Sequence, residues 1–139
     1  MDLTGNWELP EEYKLLSDTV RRFMDKEVRP AEDKVEHDAN ALPPEAAQRL
    51  RARARELGLW CVQTPQEYGG AGLNLLGQCV VAEEAAKCRM GLYFPAAGAF
   101  GQDPPKVVFR GNADQIERYG MRTVHEGLTT FVAISEPGG

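Results

Sequence analysis

Apolar side chains recur every three or four residues in four stretches of this chain, and this spacing limits the fold more than any other feature. In the first stretch, residues 10–30, one such series is Leu16, Val20, Phe23 and Val28, with charged residues between them. The spacing puts apolar side chains on one face of an α-helix, whereas a half-buried strand alternates every second residue. The sequence therefore predicts a mostly helical domain, with its first helix ended or kinked at Pro30.

Proline, glycine and capping residues mark the other helices. The predicted ranges are 45–58, 75–89 and 111–127, with a brief helix over 104–111. Gly58 is a natural C-terminal stop, Asn74 can cap the third helix, and Asn112 with Gln115 forms a capping-box pattern. The residues expected to face inward are Ala46, Leu50, Ala54 and Leu57, then Leu76, Cys79 and Val80, and finally Ile116, Tyr119 and Val124.

One strand is predicted after the last helix, in the segment LTTFVAI of residues 128–134. The fold class that follows is all-α, a helical bundle of about five to six helices over residues 1–127. Residues 128–139 then form the start of a β domain, in which the polar turn SEPGG redirects a chain expected to continue.

Composition points to a water-soluble globular domain. The net charge is −5, and hydrophobic residues make up 42% of the chain against 27% charged. Acidic and basic residues are interspersed, so no nucleic-acid footprint is visible. Apolar runs are too short to cross a bilayer, and the first residues lack the pattern of a signal or transit peptide. A cytoplasmic location is expected.

Metal and disulfide sites are not predicted. Cys61, Cys79 and Cys88 are odd in number and lack CxxC spacing, and only His37 and His125 could assist them. All three cysteines are expected to be small buried apolar side chains. Neither histidine has a serine or cysteine placed to make a nucleophile–base pair.

Adjacent carboxylates at Glu83 and Glu84 suggest acid–base chemistry only superficially. Neighbouring residues on a helix diverge by a quarter-turn or more, so the two cannot share a substrate. We expect one of them to be solvated or paired with a neighbouring helix, and the other to lie on the surface.

The segment EYGGAGLN, residues 67–74, has the glycines of a nucleotide-binding loop but lacks the rest of its signature. A dinucleotide fingerprint needs a glycine at position 75, where Leu75 stands, and no Gly-Lys-Ser/Thr tripeptide is present. The loop predicts only a tight backbone turn that another group approaches closely.

Large and very small side chains alternate in the connection that contains Tyr93, Phe94, Ala97, Gly98 and Phe100. Two interpretations stay open at this point. The aromatic residues either fill the core, or they wall a slot for an apolar chain in which the small residues leave room.

Three segments in this order resemble the N-terminal part of the acyl-CoA dehydrogenase family. They are PQEYGGAGLN (65–74), the helical VVAEEAAKC (80–88) and SEPGG (135–139), which is similar to the family's Thr-Glu-Pro-Gly-x-Gly-Ser-Asp element. The resemblance covers nearly all of this chain and roughly the first third of a family member. It implies that the sequence ends inside the flavin-binding turn, without the Ser-Asp that completes it.

The resemblance implies a FAD-dependent oxidation of an acyl-CoA to a 2,3-enoyl-CoA. In such enzymes a glutamate removes the α-proton while the β-hydrogen leaves as hydride to the flavin. That glutamate belongs to a C-terminal domain, so this chain is expected to hold no catalytic residue and to be inactive alone. The residues expected to bind FAD are Val132, Ile134, Ser135, Gly138 and Gly139, and those expected to contact substrate are Phe94 and Ala97.

The same resemblance implies an electron-transfer flavoprotein or similar acceptor as redox partner, and a homotetramer for the full-length enzyme. Ser135 stands where the family more often has threonine. Serine keeps the hydroxyl group and lacks only the methyl group. From the residues alone Ser135 is simply a turn cap. Two other interpretations stay open: an oxidase or monooxygenase of the same superfamily, and a helical interaction module without chemistry.

Overall fold

Four long helices make up most of the part of the chain that the structure describes. This computed structural model describes residues 8–39, 41–89, 98–131, 133 and 135–138. Helix α1 runs through Glu11–Phe23, a π-helical turn at Met24–Val28 and Arg29–Glu32; α2 is Pro44–Glu56; α3 is Leu75–Ala85; α4 runs through Ala113–Gln115, a π-helical turn at Ile116–Met121 and Arg122–Glu126. In the described part of the chain, 3₁₀ turns lie between α2 and α3 at Gln66–Tyr68 and between α3 and α4 at Lys106–Arg110. The all-α prediction is confirmed, with four long helices over the described residues rather than five or six.

The signals that begin and end helices act as the sequence predicts. The Asn74 side chain accepts the N–H of Gly77 at the start of α3. Asn112 and Gln115 bond each other's backbone N–H groups, which completes the predicted capping box at the start of α4. Gly127 ends α4 in the left-handed conformation, with φ 70°.

The sequence allowed helix α1 either to end or to kink at Pro30, and the helix does not end there. The helix continues to Glu32, and the π-helical turn at Met24–Val28 lies directly before the proline. The regular i→i−4 hydrogen-bond ladder is already interrupted in that turn. The hydrogen bond that proline cannot donate is therefore a small loss there.

The main core lies where α1 packs against α3 and the connection 98–103. The Phe23 and Phe100 rings meet with their centroids 5.7 Å apart. The buried members of this core are Val20, Phe23, Met24, Val28, Ala31, Leu42, Leu50, Ala54, Leu59, Val81, Ala85, Ala99 and Phe100. A second, smaller cluster joins Trp60, Cys61 and Val124.

Two of the residues expected to face inward are exposed. Val80 and Val124 are buried as predicted, whereas Cys79 is exposed and Tyr119 is 56% exposed. Tyr119 lies in the π-helical turn of α4, whose wider turn shifts the helical period, so Gly120 is buried in its place. Cys79 lies on the side of α3 that faces a cavity rather than the core.

The predicted strand is not formed by the described residues of 128–134. Leu128–Phe131 and residue 133 have no regular secondary structure, whereas Val132 and Ile134 lie outside the described residues. A strand is defined by its pairing with a neighbour, and the described chain offers no second strand. Among all the residues that the structure describes, no helix is long and apolar enough to cross a membrane.

Candidate functional site

A cavity of about 480 Å³ lies between α3 and the connection 98–103. Its walls are mostly apolar, with a few amide and carboxyl groups among them. The apolar lining is Val62, Leu75, Val81, Ala82, Ala85 and Phe100, and the polar lining is Gln63, Gln78, Gln102 and Asp103. Size and lining are typical of a site for a small molecule with a substantial apolar part.

Helix α3 forms one wall of this cavity. Ala82 and Ala85 are three residues apart and therefore lie on the same side of the helix. Their methyl groups leave open the space that larger side chains would fill. Gln78, one turn before Ala82, donates a hydrogen bond from Nε2 to the Leu73 carbonyl at 2.7 Å, which fixes this polar side chain at the cavity wall.

The opposite wall is held in place by Trp60. Gly101 has a φ of 74°, and a Cβ there would lie 2.8 Å from the Trp60 ring, so only glycine fits. The Trp60 indole N–H donates to the Val124 carbonyl at 2.8 Å, and the Arg55 guanidinium stacks 3.7 Å above its ring. Trp60 therefore links the connection 98–103 to the end of α4.

Asp103 ties the same connection to the chain before the glycine-rich loop. Its Oδ1 accepts the backbone N–H of Gln63 at 3.0 Å and both the N–H and the hydroxyl of Thr64 at 2.7 Å. Three donors on one carboxylate oxygen make a strong, charge-assisted cluster. The backbone of this cavity wall is therefore fixed on two sides.

Gln102 joins the cavity to the residues after α4. Its Nε2 donates to the Thr130 carbonyl at 2.9 Å, and its Oε1 accepts the Thr130 N–H at 3.2 Å. The segment after α4 is thus bonded at the edge of the cavity through Thr130.

The glycine-rich loop turns back on the chain before it. Each backbone N–H of residues 69–73 donates to a carbonyl within residues 60–66. Since these N–H groups already have partners, the loop has none to offer a phosphate, which agrees with the sequence analysis. A Cβ on Gly70 would overlap the Thr64 carbonyl, which is the close approach that the sequence predicts.

Glu84 is paired with a neighbouring helix and Glu83 is exposed, as expected. The Glu84 carboxylate is 5% exposed and accepts from Ser17 and Arg21 at 3.1 Å and from Lys87 at 2.8 Å. Burial raises the pKa of Glu84, but the hydrogen bonds from its three donors outweigh this, so the pKa lies below its ordinary value. This network joins α1 to α3, the helix that walls the cavity.

The cysteines differ in exposure. Cys61 is buried as predicted, and burial raises the pKa of its thiol to about 12, so it stays neutral. Cys79 is exposed and Cys88 is half-buried, so the expectation of three buried thiols is wrong for Cys79. Among the described residues, no group of three or more His, Cys, Asp or Glu could hold a metal ion.

Of the seven residues predicted to bind FAD or substrate, two are described. Ser135 and Gly138 are exposed, and a Cβ on Gly138, which has a φ of 84°, would meet nothing within 4 Å. The others, Val132, Ile134, Gly139, Phe94 and Ala97, lie outside the described residues.

Sequence reasoning missed Gln102 and Asp103, the polar residues of the cavity wall. They stand in a proline-rich connection and bond partners 28 to 40 residues away, for which no local pattern exists. The small residues Ala82 and Ala85 did carry a signal, because three-residue spacing on a predicted helix places them on one side.

Comparison with known sequences supports the family resemblance that the sequence motifs indicate. The family profile described as acyl-CoA dehydrogenase, N-terminal domain, matches residues 10–126. A probable acyl-CoA dehydrogenase of Bacillus subtilis is 27% identical over 94% of this chain and 21% of its own length. No match to a solved structure reaches significance.

Two further relatives cover similar shares. A probable acyl-CoA dehydrogenase of Mycobacterium leprae is 30% identical, over 94% of this chain and 32% of its own length. The (R)-benzylsuccinyl-CoA dehydrogenase of Thauera aromatica is 28% identical, over 96% of this chain and 35% of its own length. The chain thus spans about a third or less of the curated relatives it matches.

Proposed function

Because this chain belongs to the acyl-CoA dehydrogenase family through its N-terminal domain, we propose that it is the helical part of a FAD-dependent enzyme that oxidises an acyl-CoA to a 2,3-enoyl-CoA. Its role there is to wall the acyl pocket and to lead into the flavin-binding residues. The observation that carries the proposal is the mostly apolar cavity at whose edge the segment after α4 is bonded.

The cavity suits an acyl chain because methyl groups and aromatic carbon form most of its surface. Phe100 lines it and belongs to the same connection as Phe94 and Ala97, the proposed substrate contacts. Phe100 thus serves both interpretations of that connection, since it lines the cavity and packs on Phe23 in the core.

The described residues fit FAD at the far end of the segment after α4. Ser135 offers a hydroxyl at an exposed position, and Gly138 leaves space for a close approach of backbone to cofactor. Together with Val132, Ile134 and Gly139 they would hold the flavin. FAD, when bound, would supply the hydride acceptor, and the Ser135 hydroxyl would donate a hydrogen bond that stabilises the negative charge of the reduced flavin.

We expect the 139-residue chain alone not to retain FAD, whereas the proposed full-length enzyme does. The reason is that most of the flavin contacts of such an enzyme lie outside this chain. The measurement is the flavin absorption of both purified proteins, together with the acyl-CoA-dependent reduction of an electron-transfer flavoprotein or a dye by the full-length one. A yellow 139-residue fragment contradicts the expectation, and a full-length protein without flavin overturns the function.

Ser135→Ala in the full-length enzyme is expected to slow flavin reduction. A neutral hydrogen bond of this kind contributes about 1 kcal/mol, so the rate should fall roughly fivefold. Ser135→Thr keeps the hydroxyl and serves as the matched control. Anaerobic stopped-flow reduction gives the rates, and equal rates in the alanine variant and the wild type would make Ser135 a turn cap only.

Ala97→Leu is expected to shift the substrate preference toward shorter acyl chains, because the larger side chain takes up room in the slot. Each CH₂ that no longer fits costs about 0.8 kcal/mol, a several-fold loss in kcat/KM for longer substrates. The measurements are kcat/KM as a function of acyl chain length and the melting temperature of both proteins. If Ala97 fills the core, overpacking instead lowers stability by about 1–3 kcal/mol and affects every chain length alike.

A further inference from the structure

Gln102 bonds the main chain of Thr130 as a neighbouring strand would. A carboxamide carries one carbonyl and an N–H group, the same pair that a peptide unit offers, and here both are bonded to one residue. The described chain provides no second strand at this point. The Gln102 side chain therefore fixes the position of residue 130 along the segment that follows α4.

The backbone that carries this side chain is itself well fixed. The Cys61 N–H donates to the Phe100 carbonyl at 2.8 Å, and its thiol contacts the Gln102 carbonyl at 3.5 Å. Asp103 holds the next position through its three donors. A side chain on a rigid backbone can set the geometry of its partner, whereas one on a mobile loop would follow it.

We propose that Gln102 is a positioning residue that sets the register of the segment carrying the flavin contacts and couples that segment to the cavity wall. This inference rests on the proposed function. In the full-length enzyme we expect residues 128–134 to form the strand that the sequence predicts, in which side chains alternate between two faces. In such a strand, a slip of one residue would exchange the side chains proposed to contact the flavin for their neighbours.

The coupling arises because Gln102 contacts both the cavity and the segment after α4. It lines the cavity proposed for the acyl chain, and it bonds the residue two positions before Val132. A change in the Gln102 side chain is therefore expected to disturb the flavin contacts more than the apolar acyl wall, which Ala82 and Ala85 supply from α3.

The test compares Gln102→Met with Gln78→Met. Methionine has nearly the volume of glutamine but neither the amide donor nor the amide acceptor. Gln78 is a matched control, because it lines the same cavity and also bonds a main-chain carbonyl, that of Leu73. In the 139-residue chain, amide exchange at Thr130 should be at least about tenfold faster in Gln102→Met and unchanged in Gln78→Met.

In the full-length enzyme, Gln102→Met should weaken FAD retention by up to about thirtyfold, the size expected for two hydrogen bonds of about 1 kcal/mol each, and lower kcat more than it raises KM. Gln102→Glu provides a rescue in the 139-residue chain. A protonated carboxyl group donates and accepts as the amide does, so the Thr130 amide shift should return toward the wild-type value as pH falls through about 4.3.

The outcomes separate this inference from the proposed function. A wild-type full-length protein without FAD overturns both. If the wild type holds FAD and Gln102→Met retains it equally well, the function stands and the positioning role of Gln102 is wrong. That role is also wrong if Thr130 exchange is unchanged in Gln102→Met, or if Gln78→Met reproduces every effect.

Discussion

Replacing Gly70 with alanine is expected to destabilise the chain by about 3 kcal/mol or more, the upper end of what overpacking costs. The added methyl group would overlap the carbonyl oxygen and Cβ of Thr64 and lie 2.7 Å from the Cys61 carbonyl oxygen. Two of these three neighbours are backbone atoms, which cannot move aside as a flexible side chain can. Chemical denaturation of the 139-residue chain, compared with the wild type, measures the loss.

Gly58→Ala is the control for this experiment. Gly58 has a φ of 69°, and a Cβ there would meet nothing within 4 Å. Alanine at Gly58 therefore carries only the backbone cost of the left-handed conformation, about 1 kcal/mol. If Gly70→Ala destabilises the chain no more than Gly58→Ala does, the packing of the loop against Thr64 does not limit stability.

The consequence for function follows from what the loop packs against. Residues 69–73 are bonded to residues 60–66, and Val62 and Gln63 in that stretch line the cavity. The glycines thus act as a tight support for the cavity wall rather than as a ligand-binding loop. A variant at Gly70 that still folds is expected to lose substrate affinity through a displaced wall.

Much of the helical fold could be predicted because its signals are local. Asn74 caps α3 from a position three residues before its partner, and Asn112 and Gln115 form a capping box within one turn. The separation of Glu84 from Glu83 follows likewise from the geometry of adjacent residues on one helix. Such features depend on neighbours that the sequence itself places together.

What could not be predicted depends on distant partners or on irregular turns. The exposure of Tyr119 follows from a π-helical turn that no pattern of residues in the sequence predicts. Gln102 meets Thr130 across 28 positions, and Asp103 meets Thr64 across 39. These contacts exist only after the helices have packed, so spacing along the chain carries no signal of them.

Glu84→Gln is expected to destabilise the chain by about 2 kcal/mol at pH 7, because hydrogen bonds to a charged group contribute about 1.5–3 kcal/mol. The carboxylate is 5% exposed and bonds Ser17, Arg21 and Lys87. Arg21 and Lys87 are about half exposed, so solvent screens their charges and keeps the loss at the lower end of that range. Glu83→Gln, at the exposed neighbour, should change stability by less than about 0.5 kcal/mol.

The pH dependence of this loss distinguishes a charged network from simple packing. The pKa of Glu84 is lower in the folded state than in the unfolded chain, so ionised Glu84 stabilises the fold above the unfolded pKa of about 4.3. That contribution is lost as pH falls through the lower, folded pKa, because the unfolded chain binds its proton first. The difference in unfolding free energy between wild type and Glu84→Gln should therefore shrink from pH 6 to pH 3. If the difference stays constant over this range, the glutamine variant is less stable only because its amide packs less well than the carboxylate. The charge of Glu84 then does not hold α1 against α3, the helix that walls the cavity.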